Sequence, residues 1–485
     1  MYLLLALGIS AFIISLVLTP LVRDFFLRRN IVDKPDQFRK MHAKAIPRLG
    51  GIAIAVAYAG AFGIALLLPQ SQSGPLHLAL PGVWKLCLAA GLVFATGLLD
   101  DLIGLDPRWK LGEQLLAAGM AYFAGVQIHV VGGTWLDPWL SLPITLIWLV
   151  GCTNAFNLID GLDGLAAGVG LFATLTVLVA GITYNNHSLA LVTVPLVGAL
   201  LGFLRYNFNP ASVFLGDSGS LLIGFLLGCY GVLWSHKSAT ILGMTAPLMA
   251  MAIPLLDASL AIVRRYIRSR PIFGADRGHI HHKLLDMGLS PRRAALLMYG
   301  LSGVAAILSL IHNSVANNVN LGGLVVLLFC VSAWIGVQHL GYAEFSMARQ
   351  MFVKGEFRRL IDFHTRLQAF EQKLGEAVSV EDLWRRLTAG TSEFGLYTVR
   401  MRLKRKVFEA QHDEDWSWEV RVPLPDEGYV DFAHAKHALP APLAISEFVR
   451  VVHAAATSRV ESVCVELETK EIVPLPSAYA ARAAS

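Results

Sequence analysis

A chain of 485 residues that is 55% hydrophobic and only 15% charged, with mean hydropathy +0.56, cannot be soluble throughout, since soluble domains carry about 25% charged residues. Its net charge of +5 averages two unlike parts: residues 1–341 hold 21 Lys and Arg against 14 Asp and Glu, whereas the rest hold 19 against 21. Five scattered cysteines (Cys87, Cys152, Cys229, Cys330, Cys464) without pairing or ligand spacing exclude a disulfide framework and a zinc site, and no aromatic-basic groove motif points to nucleic acid.

The first apolar run, 2–22, lacks a basic n-region and a small-residue cleavage site, so it reads as a retained span. The loop after it carries Asp33-Lys34-Pro-Asp36, then Arg39-Lys40-Met-His42, then Pro47-Arg48-Leu-Gly50-Gly51. Its cations suit phosphate and its glycines allow close backbone approach. Taken alone, it also reads as a basic flank that sets topology. Spans over 50–69 and 84–99 follow, the second ending in Asp100-Asp101. Neighbouring helical residues point about 100° apart, so one carboxylate can bind or attack while the other orients it. A solvated span end is the plainer alternative. Lys110, before the span 111–127, either meets a phosphate or snorkels.

The span 140–156 runs into Asn154-Ala-Phe-Asn157-Leu-Ile-Asp160-Gly-Leu-Asp163-Gly164. These four amide and carboxylate groups recur at i+3, with a drift of about 60° per step. The first and last cannot share a face of one regular helix; a break near Gly161 or Gly164 would let them converge. Asn and Asp offer the oxygen donors that hard cations prefer, and ionisable groups inside a span cost about 2.5–3.5 kcal/mol. Spans over 163–182 and 188–204 lead to Asn207-Phe-Asn209-Pro and Gly216-Asp217-Ser218-Gly219, which feeds the span 218–235. A helix start favours anions, and Asp217 there is either a Mg²⁺ ligand completed by substrate phosphates or a helix cap.

The span 240–263 holds Asp257 a turn or two deep. Beyond it come Arg264, Arg265, Arg268 and Arg270, then Asp276-Arg277-Gly-His279-Ile-His281-His282-Lys283. Three histidines this close rarely ligate one ion, and hydrogen bonding to pyrophosphate or lipid phosphate fits better. A topology-setting flank is again the bland alternative. Spans over 294–312 and 321–341 bring the total to eleven.

The connections near 23–48, 100–110, 205 and 264–293 hold 19 of the 21 basic residues of the first part. Cytoplasmic loops carry the Lys/Arg excess, which puts these inside, the N-terminus outside and the C-terminus inside. The acids lie on the same side, apart from Asp137. The predicted fold class is therefore an all-α polytopic membrane protein of about eleven transmembrane helices, 1–341, with a small cytoplasmic α+β domain, 342–485. In that tail Phe345, Met347, Phe352, Phe357, Leu360, Phe363, Leu367 and Phe370 recur at helical spacing over 342–378. A second helix follows over 378–387, with Ser379 as cap. The alternating runs 397–403, 416–422 and 460–467 read as strands, loosely like a GAF sensor.

The five polar segments, in order, resemble the polyprenyl-phosphate N-acetylhexosamine-1-phosphate transferases. The likeness is to the branch making undecaprenyl-diphospho-N-acetylglucosamine, the first lipid-linked step of O-antigen, enterobacterial common antigen or teichoic-acid linkage. The shared features are Arg39-Lys40-x-His42…Pro47-Arg48-x-Gly50-Gly51, Asp100-Asp101, Asn154-x-x-Asn157-x-x-Asp160-Gly-x-Asp163-Gly, Gly216-Asp217-Ser218-Gly219 and His279-x-His281-His282. The resemblance covers about 23–293 and implies a Mg²⁺-dependent transferase, with Mn²⁺ as a substitute, in a bacterial inner membrane. It implies that UDP-N-acetylhexosamine and polyprenyl (undecaprenyl) phosphate are the substrates, and it admits a homodimer. By position it makes Asp217 the metal ligand supported by Asp101, and Asp100 the base or nucleophile. Lys34, Arg39, Lys40, His42, Lys110, Asn154, Asn157, Asp160, Asp163, Arg277, His279, His281 and His282 would bind substrate. The His-x-His-His spacing favours the N-acetylglucosamine branch over the muramoyl-pentapeptide branch, which has consecutive histidines. The alternative sugars are another N-acetylhexosamine or a deoxy-N-acetylsugar. A secondary transporter would place its ionisable residues near the midplane, in broken helices related by a repeat, and no two-half repeat is visible.

Overall fold

The computed structural model describes residues 2–32, 46–131, 134–235, 244–267, 278–315, 318–340, 356–391, 394, 396–403, 406–410, 416–425, 427–435, 447–454 and 457. The chain divides into two compact units, Met1–Glu344 and Phe345–Ser485.

The first unit is built almost entirely of helices. In chain order these are α1 (Tyr2–Arg28), α2 (Gly51–Leu66), α3 (Gln70–Ile103) and α4 (Pro107–Phe123), then a short hairpin of β1 (Val130–Val131) and β2 (Thr134–Trp135). There follow α5 (Pro138–Ile159), α6 (Leu165–Thr183), α7 (His187–Asn207), α8 (Gly216–Ser235), α9 (Thr245–Ala250), α10 (Ala252–Ile267), α11 (Ile280–Asp286), α12 (Pro291–Ser314) and α13 (Val319–His339). Among the described residues, eight segments are long and apolar enough to cross a membrane: α1, Val83–Ile103 of α3, α5, α6, α7, α8, α12 and Asn320–His339 of α13. The protein is a multi-pass membrane protein.

The three remaining expected spans look different. The run 50–69 becomes α2, apolar but only 16 residues long. The run 111–127 becomes α4, whose first two turns carry Arg108, Lys110, Glu113 and Gln114. The run 240–263 is not one helix: α9 ends at Ala250 and α10 begins at Ala252, with Met251 at the break; 240–243 lie outside the described residues.

Helix α8 is the centre of this unit. Nearly all of its residues are buried, and it packs on α2, α3, α5 and α6. Without a hydrophobic force between helices in lipid, close contact needs small residues and interhelical hydrogen bonds. A Cβ at Gly224 would lie 2.7 Å from the Cys152 carbonyl, so α8 meets α5 backbone to backbone. Helix α1 crosses α7 in the same way, with the Ser15 hydroxyl donating to the Ala199 carbonyl at 2.7 Å. Its outer face, including Leu5, Ile9, Ile13 and Val17, is exposed, as a lipid-facing helix requires.

The second unit has α14 (Glu356–Gly375), α15 (Val380–Thr391) and a helical stretch over 447–454 beside a four-stranded antiparallel sheet. Its strands are β3 (Leu396–Leu403), β4 (Lys406–Glu409), β5 (Trp416–Leu424) and β6 (Gly428–Ala435), in the order β4-β3-β6-β5. The periodic Leu367, Phe370 and Leu374 of α14 pack with Met401, Val430 and Phe432 from the sheet. Ser379 caps α15, accepting from the Asp382 N–H at 3.1 Å. The strand expected over 460–467 and the helical start over 342–355 lie outside the described residues.

Candidate active site

The site is assembled at the first turn of α8. Residues before it run alongside the Pro47-Arg48-Leu-Gly-Gly segment: Phe214 N–H donates to Pro47 O at 2.8 Å. Gly50 and Gly51 donate to Phe214 and Leu215 carbonyls at 3.0 and 2.9 Å. Gly216 then turns with φ +75°, a left-handed conformation in which a side chain is strained, and a Cβ there would also lie 2.6 Å from Asp101 Oδ2. A Cβ at Gly97 of α3 would lie 2.6 Å from the Asp217 carbonyl and Ser218 Cα. Glycine at 97 and 216 is what lets α3 and α8 approach this closely.

That approach gives the two adjacent aspartates of α3 separate partners. Asp101 reaches across to the start of α8: Oδ1 accepts from Asp217 N–H at 2.8 Å, and Oδ2 accepts from Ser218 N–H at 3.0 Å and Ser218 Oγ at 2.7 Å. Three of its roughly four lone-pair positions are thereby occupied. It acts as an N-cap supplied by another helix, answering N–H groups that a helix start leaves open. Asp100 points the other way. Its Oδ1 accepts from Leu105 N–H at 2.7 Å and its Oδ2 from Lys110 Nζ at 2.7 Å. The same ammonium donates to Asp217 Oδ2 at 3.0 Å. Lys110 therefore bridges two carboxylates that lie 117 positions apart in the chain.

The Asn-rich motif meets this cluster because α5 stops at Ile159 and α6 starts at Leu165, with Gly164 turned at φ +75°. The helix break the i+3 drift called for is there. Asn157 Nδ2 donates to Ser220 Oγ of α8 at 3.0 Å. Asp160 follows the end of α5; burial, then the nearby Asp217 and Asp101 carboxylates, push its carboxyl well above the usual carboxylate range, against the pull of Arg48. Asp163 turns away: its Oδ2 accepts from Asn209 Nδ2 and Ala211 N–H, both at 2.9 Å, and so braces the loop before Asp217. Asn154 lies deeper, donating to Gln114 Oε1 at 2.6 Å.

The histidines approach from α11. His281 is 1% exposed, sits against Gly161, and stacks on His279 at 5.7 Å with an interplanar angle of 6°. Burial, then His282, drives its pKa down to about 3, and its buried Nδ1 has no hydrogen-bond partner. Such an orphaned atom is expensive unless something else meets it. His282 lies beside His281, ring centroids 4.3 Å apart.

Of the residues singled out from sequence, Lys34, Arg39, Lys40, His42 and Arg277 lie outside the described residues. The structure joins Asp100, Lys110 and Asp217 directly, Asp101 and Asn157 through α8, and Asp160 and His281 through the turn after α5. Sequence reasoning left out Ser218, Arg48 and Gln114 as site residues, and it noted Asp257 only as a charge within a span. That charge, placed just ahead of the histidine cluster, was the available signal.

Among the described residues, no three His, Cys, Asp or Glu side chains converge to enclose a metal unaided. Mg²⁺ is commonly bound by one or two carboxylates and substrate phosphates, so a protein cage is not required. The donors fit such an ion: carboxylate oxygens on Asp217 and Asp100, with the Asp160 carboxyl crowded by like charge.

Residues 83–235 match the family described as Glycosyl transferase family 4. The chain is 32% identical over 315 residues to a probable undecaprenyl-phosphate N-acetylglucosaminyl 1-phosphate transferase of Bacillus subtilis, covering 63% of this chain and 85% of that protein. It is 36% identical over 325 residues to a decaprenyl-phosphate N-acetylglucosaminephosphotransferase of Mycolicibacterium smegmatis, covering 62% and 79%. A phospho-N-acetylmuramoyl-pentapeptide-transferase of Lactiplantibacillus plantarum is 31% identical over 322 residues, covering 62% and 95%.

Proposed function

Because the chain belongs to glycosyl transferase family 4, we propose that it transfers N-acetylglucosamine-1-phosphate from UDP-N-acetylglucosamine to undecaprenyl phosphate. The products are undecaprenyl-diphospho-N-acetylglucosamine and UMP. The observation that carries this reading is the bridge Asp100–Lys110–Asp217, which gathers one cation and two carboxylates from α3, α4 and α8.

Chemically, an oxygen of the lipid phosphate attacks the sugar-bearing phosphorus of the UDP-sugar. The bond from that phosphorus to the oxygen bridging to the uridine side breaks, and UMP leaves with the electron pair. Two anions must meet, so repulsion is the principal barrier, and positioned cations lower it. Lys110 holds Asp100 and Asp217 in place and supplies positive charge beside the reacting phosphates. Asp100 takes the remaining proton from the lipid phosphate, whose second pKa is about 6. Asp101 keeps α8 in register so that Asp217 faces the reactants. Asp217, with Asp100 near it, would hold Mg²⁺. When bound, that ion neutralises charge on the transferred phosphoryl group. Asn157, Asp160 and the histidines of α11 shape the nucleotide-sugar side.

The positive-inside pattern supports an inner-membrane protein with this site and residues 342–485 in the cytoplasm. It also supports counting α2, α4 and the α9–α10 pair with the eight longer segments, for eleven crossings. Incubating purified protein with lipid phosphate, Mg²⁺ and a panel of UDP-sugars, and measuring UMP release, tests the proposal. UMP should appear only when both lipid and nucleotide are present, fastest with UDP-N-acetylglucosamine. Release without lipid, or preference for another sugar, would overturn the corresponding part.

A further inference from the structure

Asp257 is 1% exposed in the interior of α10, and no relative's name or family description assigns it a role. A buried carboxylate persists only where its oxygens are answered. Here both are: Oδ2 meets His279 Nδ1 at 3.0 Å, and Oδ1 accepts from Ile280 N–H at 2.8 Å. Seven residues on, two turns along the same face of α10, Arg264 Nη1 donates to the Gly278 carbonyl at 3.0 Å. A Cβ at Gly278 would lie 2.6 Å from Arg264 Nε, so the backbone lies flat on the guanidinium. Helix α10 thus grips three consecutive residues, 278–280, from two points.

We propose that Asp257 is a positioning residue for the transferase reaction, acting through His279. A carboxylate only accepts, so the Asp257 contact requires the His279 proton on Nδ1 and leaves Nε2 as the atom offered away from α10. The Ile280 bond caps α11, whose N-cap His279 makes no side-chain cap of its own. One side chain therefore fixes both the histidine's tautomer and the start of the helix that carries His281 to Gly161. The charge matters as well as the shape. Asparagine is isosteric but has one acceptor for two donors. In Asp257→Asn either Ile280 N–H is orphaned, or His279 must present Nδ1 as an acceptor and carry its proton on Nε2.

The inference rests on the proposed transferase reading, and a double-mutant cycle separates the two. UMP release and thermal unfolding would be measured for the full chain, Asp257→Asn, His279→Ala and the double variant. Asp257→Asn should lower kcat/KM at least tenfold, mostly in kcat, while remaining monodisperse. In the His279→Ala background the same change should cost less than threefold, because the ring it orients is gone. Equal losses in both backgrounds would reduce Asp257 to a structural cap and overturn the proposal, as would wild-type turnover in Asp257→Asn. Should Asp257→Asn fail to fold, Asp257→Glu keeps two acceptors and should retain more than a tenth of the activity. A larger loss there, undiminished by His279→Ala, would equally refute it. A fully active His279→Ala would also overturn the proposal, since Asp257 would have no ring to act through, whereas a wild type that released no UMP would sink the transferase reading instead.

Discussion

Replacing Asp101 separates a carboxylate that anchors a helix from one that binds metal. Its side chain accepts from Asp217 N–H, Ser218 N–H and Ser218 Oγ. Hydrogen bonds to a charged group contribute about 1.5–3 kcal/mol each, but they are not additive. Two of these three donors belong to a helix start, where losing a cap costs about 1 kcal/mol because water takes over part of the role. For Asp101→Ala, a total of about 3–5 kcal/mol follows, combining two cap-like losses with one fuller bond. Expressed in the positioning of Asp217, that is about 150- to 4,000-fold in turnover. Asp101→Asn keeps one acceptor and should cost about 1.5–3 kcal/mol, or about 10- to 150-fold. UMP release in detergent, measured over a Mg²⁺ series, is the assay. An anchoring role predicts that alanine is worse than asparagine and that the Mg²⁺ concentration for half-maximal rate stays the same. If excess Mg²⁺ restored Asp101→Asn, or asparagine and alanine were equally inactive, Asp101 would be a metal ligand rather than an anchor.

Asp217→Asn should abolish Mg²⁺-dependent turnover, because an amide is a poor substitute for an anionic ligand; substantial metal-dependent activity in the purified variant would remove Asp217 from that role. Asp100→Asn should block turnover well below pH about 6 with UDP-sugar still bound, and should recover as pH rises well above about 6, where the lipid phosphate has already lost its proton. No recovery would favour Asp100 as nucleophile over base. Gly97→Val should separate α3 from α8 and reduce both activity and thermal stability, since even a Cβ there meets Asp217 and Ser218 backbone at 2.6 Å; a variant of unchanged stability would count against that contact. His281 has its pKa depressed to about 3, so the unfolded chain binds the proton first. Its stabilising contribution is complete above pH about 6.5 and falls as pH drops, by about 2 kcal/mol at pH 5. Unfolding midpoints of wild type and His281→Asn between pH 7 and 5 check this, the variant lacking that share of the fall. A chain ending at Glu344 should keep its transferase activity; an inactive truncation would bring residues 345–485 into the chemistry.

Much of the membrane unit is legible in the chain because lipid allows few solutions. Apolar runs of sufficient length must be helices, and the basic residues fall in the connections between them. The i+3 spacing of Asn154, Asn157, Asp160 and Asp163 allowed convergence only with a break; the helix does end at Ile159, but Asn154 pairs with Gln114 and Asp163 with Asn209 and Ala211. Local patterning fails where one apolar run holds two helices. The run 240–263 read as one span, yet Met251 interrupts it, and hydropathy averaged over twenty residues cannot see a single-residue turn. In the tail, alternation found β3 and β5. It passed over β4, with four residues, and β6, where Gly428 and His434 blur the alternating pattern.

From its order of residues alone, this protein was bound to be a multi-pass membrane protein with most of its few charges in the connections between apolar runs. That much follows from the cost of charge in hydrocarbon. Which of two adjacent aspartates faces the reactants was open until α3 and α8 were packed together. Their glycines at 97 and 216 bring backbone against carboxylate and turn Asp101 inward to the helix start. The pairing of Asp257 with His279 likewise depends on two helices meeting in space, and no spacing along one strand of sequence encodes that distance.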